Sequence, residues 1–199
     1  MSWRVRAFGS VGSTSDVARR LAAAGAPEGT VVVAGTQWAG RGRRGDPWHS
    51  PRGGLWFSMV LRPGLPDDDA HGVCAAASLA VSRAVRVAAG VPAEVKWPND
   101  VLVGGRKVAG VLVEGGRAGN YVLGVGINVN VPADEMPVAA GYEATSLERE
   151  AGRRFDRAEL LGAFLSEFEP RYIALKRGGV AAIAGEWRTA SSARAGSGR

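Results

Sequence analysis

The chain has 199 residues, 46% of them hydrophobic, with 25 lysines and arginines against 19 acidic residues and a formal charge of +6. That length suits one domain with a full core, and the apolar content excludes an intrinsically disordered chain. The opening MSWRVRAFG puts charges where a signal peptide needs an apolar run, and no stretch reads as a membrane span of ~18 apolar residues, so a cytoplasmic protein without a membrane partner is expected.

Arg4 to Phe8 reads as a first strand. GSTSDVARRLAAAG then reads as a helix, with Ser13 as N-cap, Asp16 as its capping-box-like partner and Gly25 as the stop. TVVVAGTQ (30–37) has the β-branched content of a strand, and it runs into GRGRRGDPWHSPRGG (40–54), where five glycines and two prolines forbid regular structure and four arginines load a loop. LWFSMVLRP (55–63) alternates Leu55, Phe57, Met59 and Leu61 against Trp56, Ser58, Val60 and Arg62, as a strand does. Residues 69–90, rich in alanine and valine and free of proline, predict a long buried helix. Cys74, the lone cysteine, lies inside it and reads as a small buried hydrophobe; it excludes an internal disulfide and a cysteine-rich metal site.

Beyond KWPND (96–100), three apolar runs are broken by Gly-Gly pairs at 104–105 and 115–116, the signal of an antiparallel meander. Residues 132–152 read as irregular. Residues 156–178 carry Leu160, Leu161, Phe164, Leu165 and Phe168 at helical spacing behind Asp156 as cap, with Pro170 either kinking or splitting the helix. TASSARAGSGR (189–199) reads as a disordered tail. The fold class is therefore α+β, a mixed and mostly antiparallel sheet packed with helices.

Three places carry chemistry. Guanidinium forks match carboxylates and phosphates, and glycines let backbone amides approach an anion, so Arg41, Arg43 and Arg44 suit a phosphate-bearing ligand as well as they suit a solvated basic turn. No Walker A spacing is present. Trp48 either packs back on the body or offers a face to a planar ring. In KWPND, Lys96 and Asp100 are placed to pair in a turn; Lys107, in GRKVAGVLVE, is either a snorkelling lysine or a positioned cation. GVGINVN (124–130) sets glycines, which mark close backbone approach, ahead of Asn128 and Asn130. The basic balance raises nucleic acid as a partner, but a small-anion site is favoured, because four arginines sit in one loop and the others are scattered.

Taken in order, GSTSD, TQWAGRGRRGDPWHSPRGGLWFSMVLRP, KWPNDVLVGGRKVAGVLVE and GVGINVN strongly resemble the catalytic domain of the biotin protein ligases, in one register from about residue 8 to about residue 188. The resemblance implies the biotin–lipoyl ligase catalytic fold, similar to class II aminoacyl-tRNA synthetases. It implies an ATP-dependent biotin–[acetyl-CoA-carboxylase] ligase: biotin and MgATP give biotinyl-5'-AMP and pyrophosphate, and the biotinyl group passes to a lysine of a biotin carboxyl carrier domain. By the same resemblance Ser13, Thr14 and Gln37 would bind the ureido ring, with Gly40 nearby. Arg41 and Arg43 would hold carboxylate and phosphate, with Arg44 and Lys96 also on the nucleotide. Trp48 would stack on adenine and Asn128 contact it, Gly110 would wall the biotin pocket, and Lys107 would bridge the carboxylate and α-phosphate. Asn99 would contact phosphate or Mg2+, and Asp100 would orient or deprotonate the acceptor lysine.

The sequence departs from the family at Asp46, where a basic residue is common, and at Trp38, where a small one is usual. The resemblance leads us to expect a catalytic domain over 1–188, a monomer or weak homodimer, without an N-terminal DNA-binding domain or a complete C-terminal β-barrel. Two other readings are a lipoate or octanoate ligase of the same fold, whose Arg-Arg-x-x-Gly-Gly-Gly stretch is missing, and a biotin-binding relative impaired in catalysis, against which Lys107 argues.

Overall fold

The computed structural model describes residues 1–65, 70–115, 119–136, 138–139 and 142–192. Seven strands form one sheet: β1 (Arg4–Val11), β2 (Thr30–Gln37), β3 (Leu55–Leu61), β4 (Ala93–Lys96), β5 (Asp100–Val103), β6 (Arg106–Gly115) and β7 (Tyr121–Ile127), in the order β1-β2-β3-β7-β6-β5-β4. Only β1 and β2 pair in parallel. They are joined by helix α1 (Thr14–Ala23), as a parallel pair requires a crossover. A separate two-stranded ribbon pairs β8 (Val138–Ala139) with β9 (Tyr142–Glu143).

The long helix α2 (Ala70–Ala89) lies against the sheet and α4 (Arg157–Gly178) against α2; α3 (Leu147–Ala151) and α5 (Ala181–Ser192) complete the chain. Asp156 caps α4 by accepting from the amides of Ala158 (2.6 Å) and Glu159 (3.2 Å). Its apolar stripe stacks Phe164 on Phe168 at 5.4 Å and Phe168 on Tyr172 at 5.3 Å, while Phe57 of β3 meets Phe164 edge-on at 5.0 Å. The other face of β3 gives Val60, which packs with Ala18 and Ala22 of α1. Every residue of β3 is buried, because helices cover the sheet on both faces.

The hairpin at Gly104-Gly105 forms as expected, with φ of +55° and +79°, values only glycine adopts without cost. The second expected hairpin falls at Gly115-Gly116, and Gly116 is outside the described residues. Four expectations change. β1 runs on to Val11. Residues 132–152 hold a 3-10 turn (Ala133–Glu135), the small ribbon and α3. Pro170 leaves α4 continuous. Helix α5 reaches Ser192, so the stretch expected to be disordered from 189 begins in helix, and 193–199 lie outside the described residues. Among the described residues one helix segment, His71–Ala89, is long and apolar enough to cross a membrane by length and composition; its apolar residues Val73, Ala76, Ala80, Val81 and Ala84 are buried in the core.

Candidate active site

A cleft of about 1060 Å³ opens where the loop after β2, the start of α1 and the strands β5, β6 and β7 meet. Twelve of the sequence-derived site residues line it: Ser13, Thr14, Gln37, Gly40, Arg41, Arg43, Trp48, Asn99, Asp100, Lys107, Gly110 and Asn128. Arg44 and Lys96 do not. Arg44 sits at the exposed tip of the loop with φ of 58°, and Lys96 lies at the end of β4, across from Asp100 in the ladder.

The inner end of the cleft is a chain of small polar groups. The Gln37 amide oxygen accepts from the Thr14 amide (2.7 Å) and hydroxyl (3.0 Å), and its nitrogen donates to Ser50 Oγ at 2.8 Å. Ser58 lies 2.7 Å from the Thr14 hydroxyl and 3.0 Å from that of Ser15. Ser13, which precedes α1, makes no capping bond, contrary to the capping box expected with Asp16, so its hydroxyl is not spent on the helix. Ser15 and Ser58 went unread in the sequence; a serine amid the apolar residues of LWFSMVL was the available signal.

The loop is itself a small hairpin, bridged at Gln37–Ser50 and Arg41–Pro47, with the Gly42 amide on the Asp46 carbonyl at 2.7 Å. It folds onto the sheet through Trp48. A Cβ at Gly110 would lie 2.9 Å from the indole, and one at Gly126 2.5 Å from its Nε1, so both glycines exist to let the ring approach the strands. Trp48 thus packs back on the body, one of the two roles open to it in the sequence, with the indole N–H buried and unpartnered. Trp38 stands 79% exposed beside the cleft.

Over this floor, Lys107 Nζ lies 5.0 Å from the Trp48 ring centre and 2.7 Å from Asp100 Oδ1. That contact is an ion pair rather than an aligned hydrogen bond, since the same oxygen has no hydrogen-bond partner. Asp100 thus pairs with Lys107 from the neighbouring strand, and the expected Lys96–Asp100 turn pair is not the contact made. Arg41 was expected on a ligand's carboxylate and phosphate, but its guanidinium grips Asp16 of α1 with two bonds of 2.7 and 2.8 Å. Arg41 beside it holds the Asp16 carboxyl below its usual range. Arg43 reaches Asn99 Oδ1 at 3.4 Å. Asn128 donates its amide to the Thr145 carbonyl at 3.0 Å, which leaves its oxygen as the group that can face the cleft.

A resident metal does not fit. Asn99 donates to the Val111 carbonyl at 2.9 Å and meets a guanidinium at its oxygen, and no group of three metal-ligating side chains occurs among the described residues. Mg2+ would enter with ATP phosphates, which supply most of its ligands in such sites.

The profile of the biotin/lipoate A/B protein ligase family matches residues 8–131. The chain is 42% identical over 165 residues to the bifunctional ligase/repressor BirA of Bacillus subtilis, covering 80% of this chain and 51% of that protein. It is 36% identical over 163 residues to the biotin–[acetyl-CoA-carboxylase] ligase of Paracoccus denitrificans, covering 78% of this chain and 68% of that protein. The structure of the biotin protein ligase from Aquifex aeolicus in complex with biotin and ATP superimposes with a TM-score of 0.84 at 32% identity, over 94% of this chain and 78% of that one. This is a ligase fold built around a polar-ended cleft, and the chain belongs to the biotin/lipoate A/B protein ligase family. It spans about half the length of the Bacillus relatives it matches.

Proposed function

We propose that the chain is the catalytic domain of a biotin protein ligase, working in the cytoplasm on a biotin carboxyl carrier domain. The observation that carries the reading is the Lys107–Asp100 pair, 2.7 Å apart, at a cleft whose inner end is lined by hydroxyls and an amide. That polar end suits a ureido ring, which both donates and accepts hydrogen bonds, and it disfavours the apolar dithiolane of lipoate.

In the first step a biotin carboxylate oxygen attacks the α-phosphorus of ATP and the bond to the β-phosphate oxygen breaks, releasing pyrophosphate. Negative charge concentrates between carboxylate and α-phosphate, and Lys107 with Arg43 supplies fixed cations there. In the second step the neutral carrier amine attacks the acyl carbon, the bond to the AMP oxygen breaks, and the amine loses a proton. Asp100 is the carboxylate closest to Lys107 and serves to orient that amine or take its proton.

The test is mass spectrometry of a carrier domain incubated with this protein, biotin and MgATP. A biotin-sized gain that needs ATP and disappears in Lys107→Ala supports the reading. No gain, with biotin binding retained in calorimetry, would mean a binder that does not catalyse transfer.

A further inference from the structure

Arg41 does not act alone. Its guanidinium holds both oxygens of Asp16, and Asp16 also takes Arg19 at 2.9 Å. Arg19 in turn reaches Glu114 of β6 at 2.9 Å, and Arg41 approaches the same carboxylate at 3.9 Å. Two acids and two guanidiniums therefore join three parts of the molecule: the glycine loop, the first turns of α1 that carry Thr14, and the strand that carries Lys107. All four side chains are partly exposed, so each pair alone is weak, but a closed network with one bidentate contact is where such pairs count. Among the described residues no other loop residue makes a charge-to-charge contact with the body; Trp48 supplies an apolar one.

We infer that Asp16 and Glu114 are positioning residues which, acting through Arg41, latch the glycine loop closed over the cleft. With Trp48 lying on the Gly110–Gly126 floor, the latched loop forms one wall of the cleft, so the latch fixes the shape of the space a ligand would fill. What the latch guards rests on the biotin ligase reading; that it closes the loop does not.

The loop carries its own reporter, since trypsin cuts after Arg41, Arg43, Arg44 and Arg52. The ligand-free protein is digested briefly and the cuts mapped by mass spectrometry, for wild type, Asp16→Asn, Glu114→Gln and Asp16→Glu. Cleavage within 41–52 is expected to speed up by about fivefold or more in Asp16→Asn and less in Glu114→Gln, at an unchanged Tm, because local opening governs access. Asp16→Glu should restore protection, and added salt should expose the wild-type loop. Wild-type cleavage rates in Asp16→Asn, or faster cleavage spread along the whole chain with a lowered Tm, would overturn the inference. An intact latch beside a failed biotinylation assay would sink the proposed function alone.

Discussion

Lys107 changes meaning between sequence and structure. In the strand it is one lysine beside valines, open to a snorkelling role; in the fold it lies over an indole and against Asp100, in a cleft, which is where a cation does chemistry. Asp100 is separable from it. In Asp100→Asn the amide keeps the shape and loses the proton acceptor, so transfer from preformed biotinyl-AMP should fall by ~10²-fold while adenylation changes less; an unchanged transfer rate measured by rapid quench would remove Asp100 from the second step. Gly126 is a second test at this scale. An alanine there meets the indole at 2.5 Å and drives Trp48 off the floor, at a cost of about 1–3 kcal/mol, so biotin binding measured by calorimetry should change by tenfold or more.

At the scale of elements, α4 is tied to the rest by an ionic knot as well as by its aromatic stripe. Glu28, in the turn before β2, accepts from the Tyr172 hydroxyl at 2.6 Å, the Lys176 ammonium at 3.0 Å and the Arg62 amide at 2.8 Å. Burial alone would raise the Glu28 carboxyl, but these donors outweigh it and hold it below its usual value of 4.5. A depressed carboxylate contributes stability that is fully present above its unfolded pKa and is lost as pH falls through the folded one. Denaturant midpoints should therefore drop below about pH 4.5, and Glu28→Gln should lower the midpoint at neutral pH while flattening that acid decline. The stripe predicts a larger, pH-independent loss: Phe164→Ala should cost ~3–5 kcal/mol, because the ring is fully buried between Phe57 and Phe168.

At the scale of the whole molecule, the sheet serves as a floor on which separate stretches converge. Residues 13–14, 37–48, 99–110 and 124–128 are far apart in the chain, and the order β1-β2-β3-β7-β6-β5-β4 sets β7 between β3 and β6, so Gly126 faces both Trp56 and Gly110 in register. That convergence explains why the elements were legible and the contacts were not. Periodicity revealed β3 and α4, while composition and glycine pairs revealed α2 and the meander, since all of these signals are local. Ordered motifs marked the loop, Lys107 and Asn128 as site residues. The four-charge latch was hidden, because Asp16 and Arg41 are 25 residues apart and Glu114 is far from both; Asp16 looked like a helix cap for want of its partner.

The sequence by itself thus determined the α+β class and the glycine loop with its arginine load, which are properties of spacing and residue type, while Lys107 stood out only through the resemblance of the ordered motifs to a family. Only the tertiary structure decided that Arg41 grips a carboxylate of its own chain, that Trp48 lies on a glycine floor, that Asp100 answers Lys107 instead of Lys96, and that Arg44 and Lys96 stay out of the cleft. The physical reason is that charge pairs and close approaches depend on distance through space, and strand register together with the direction of each pleat fixes that distance after the chain has folded.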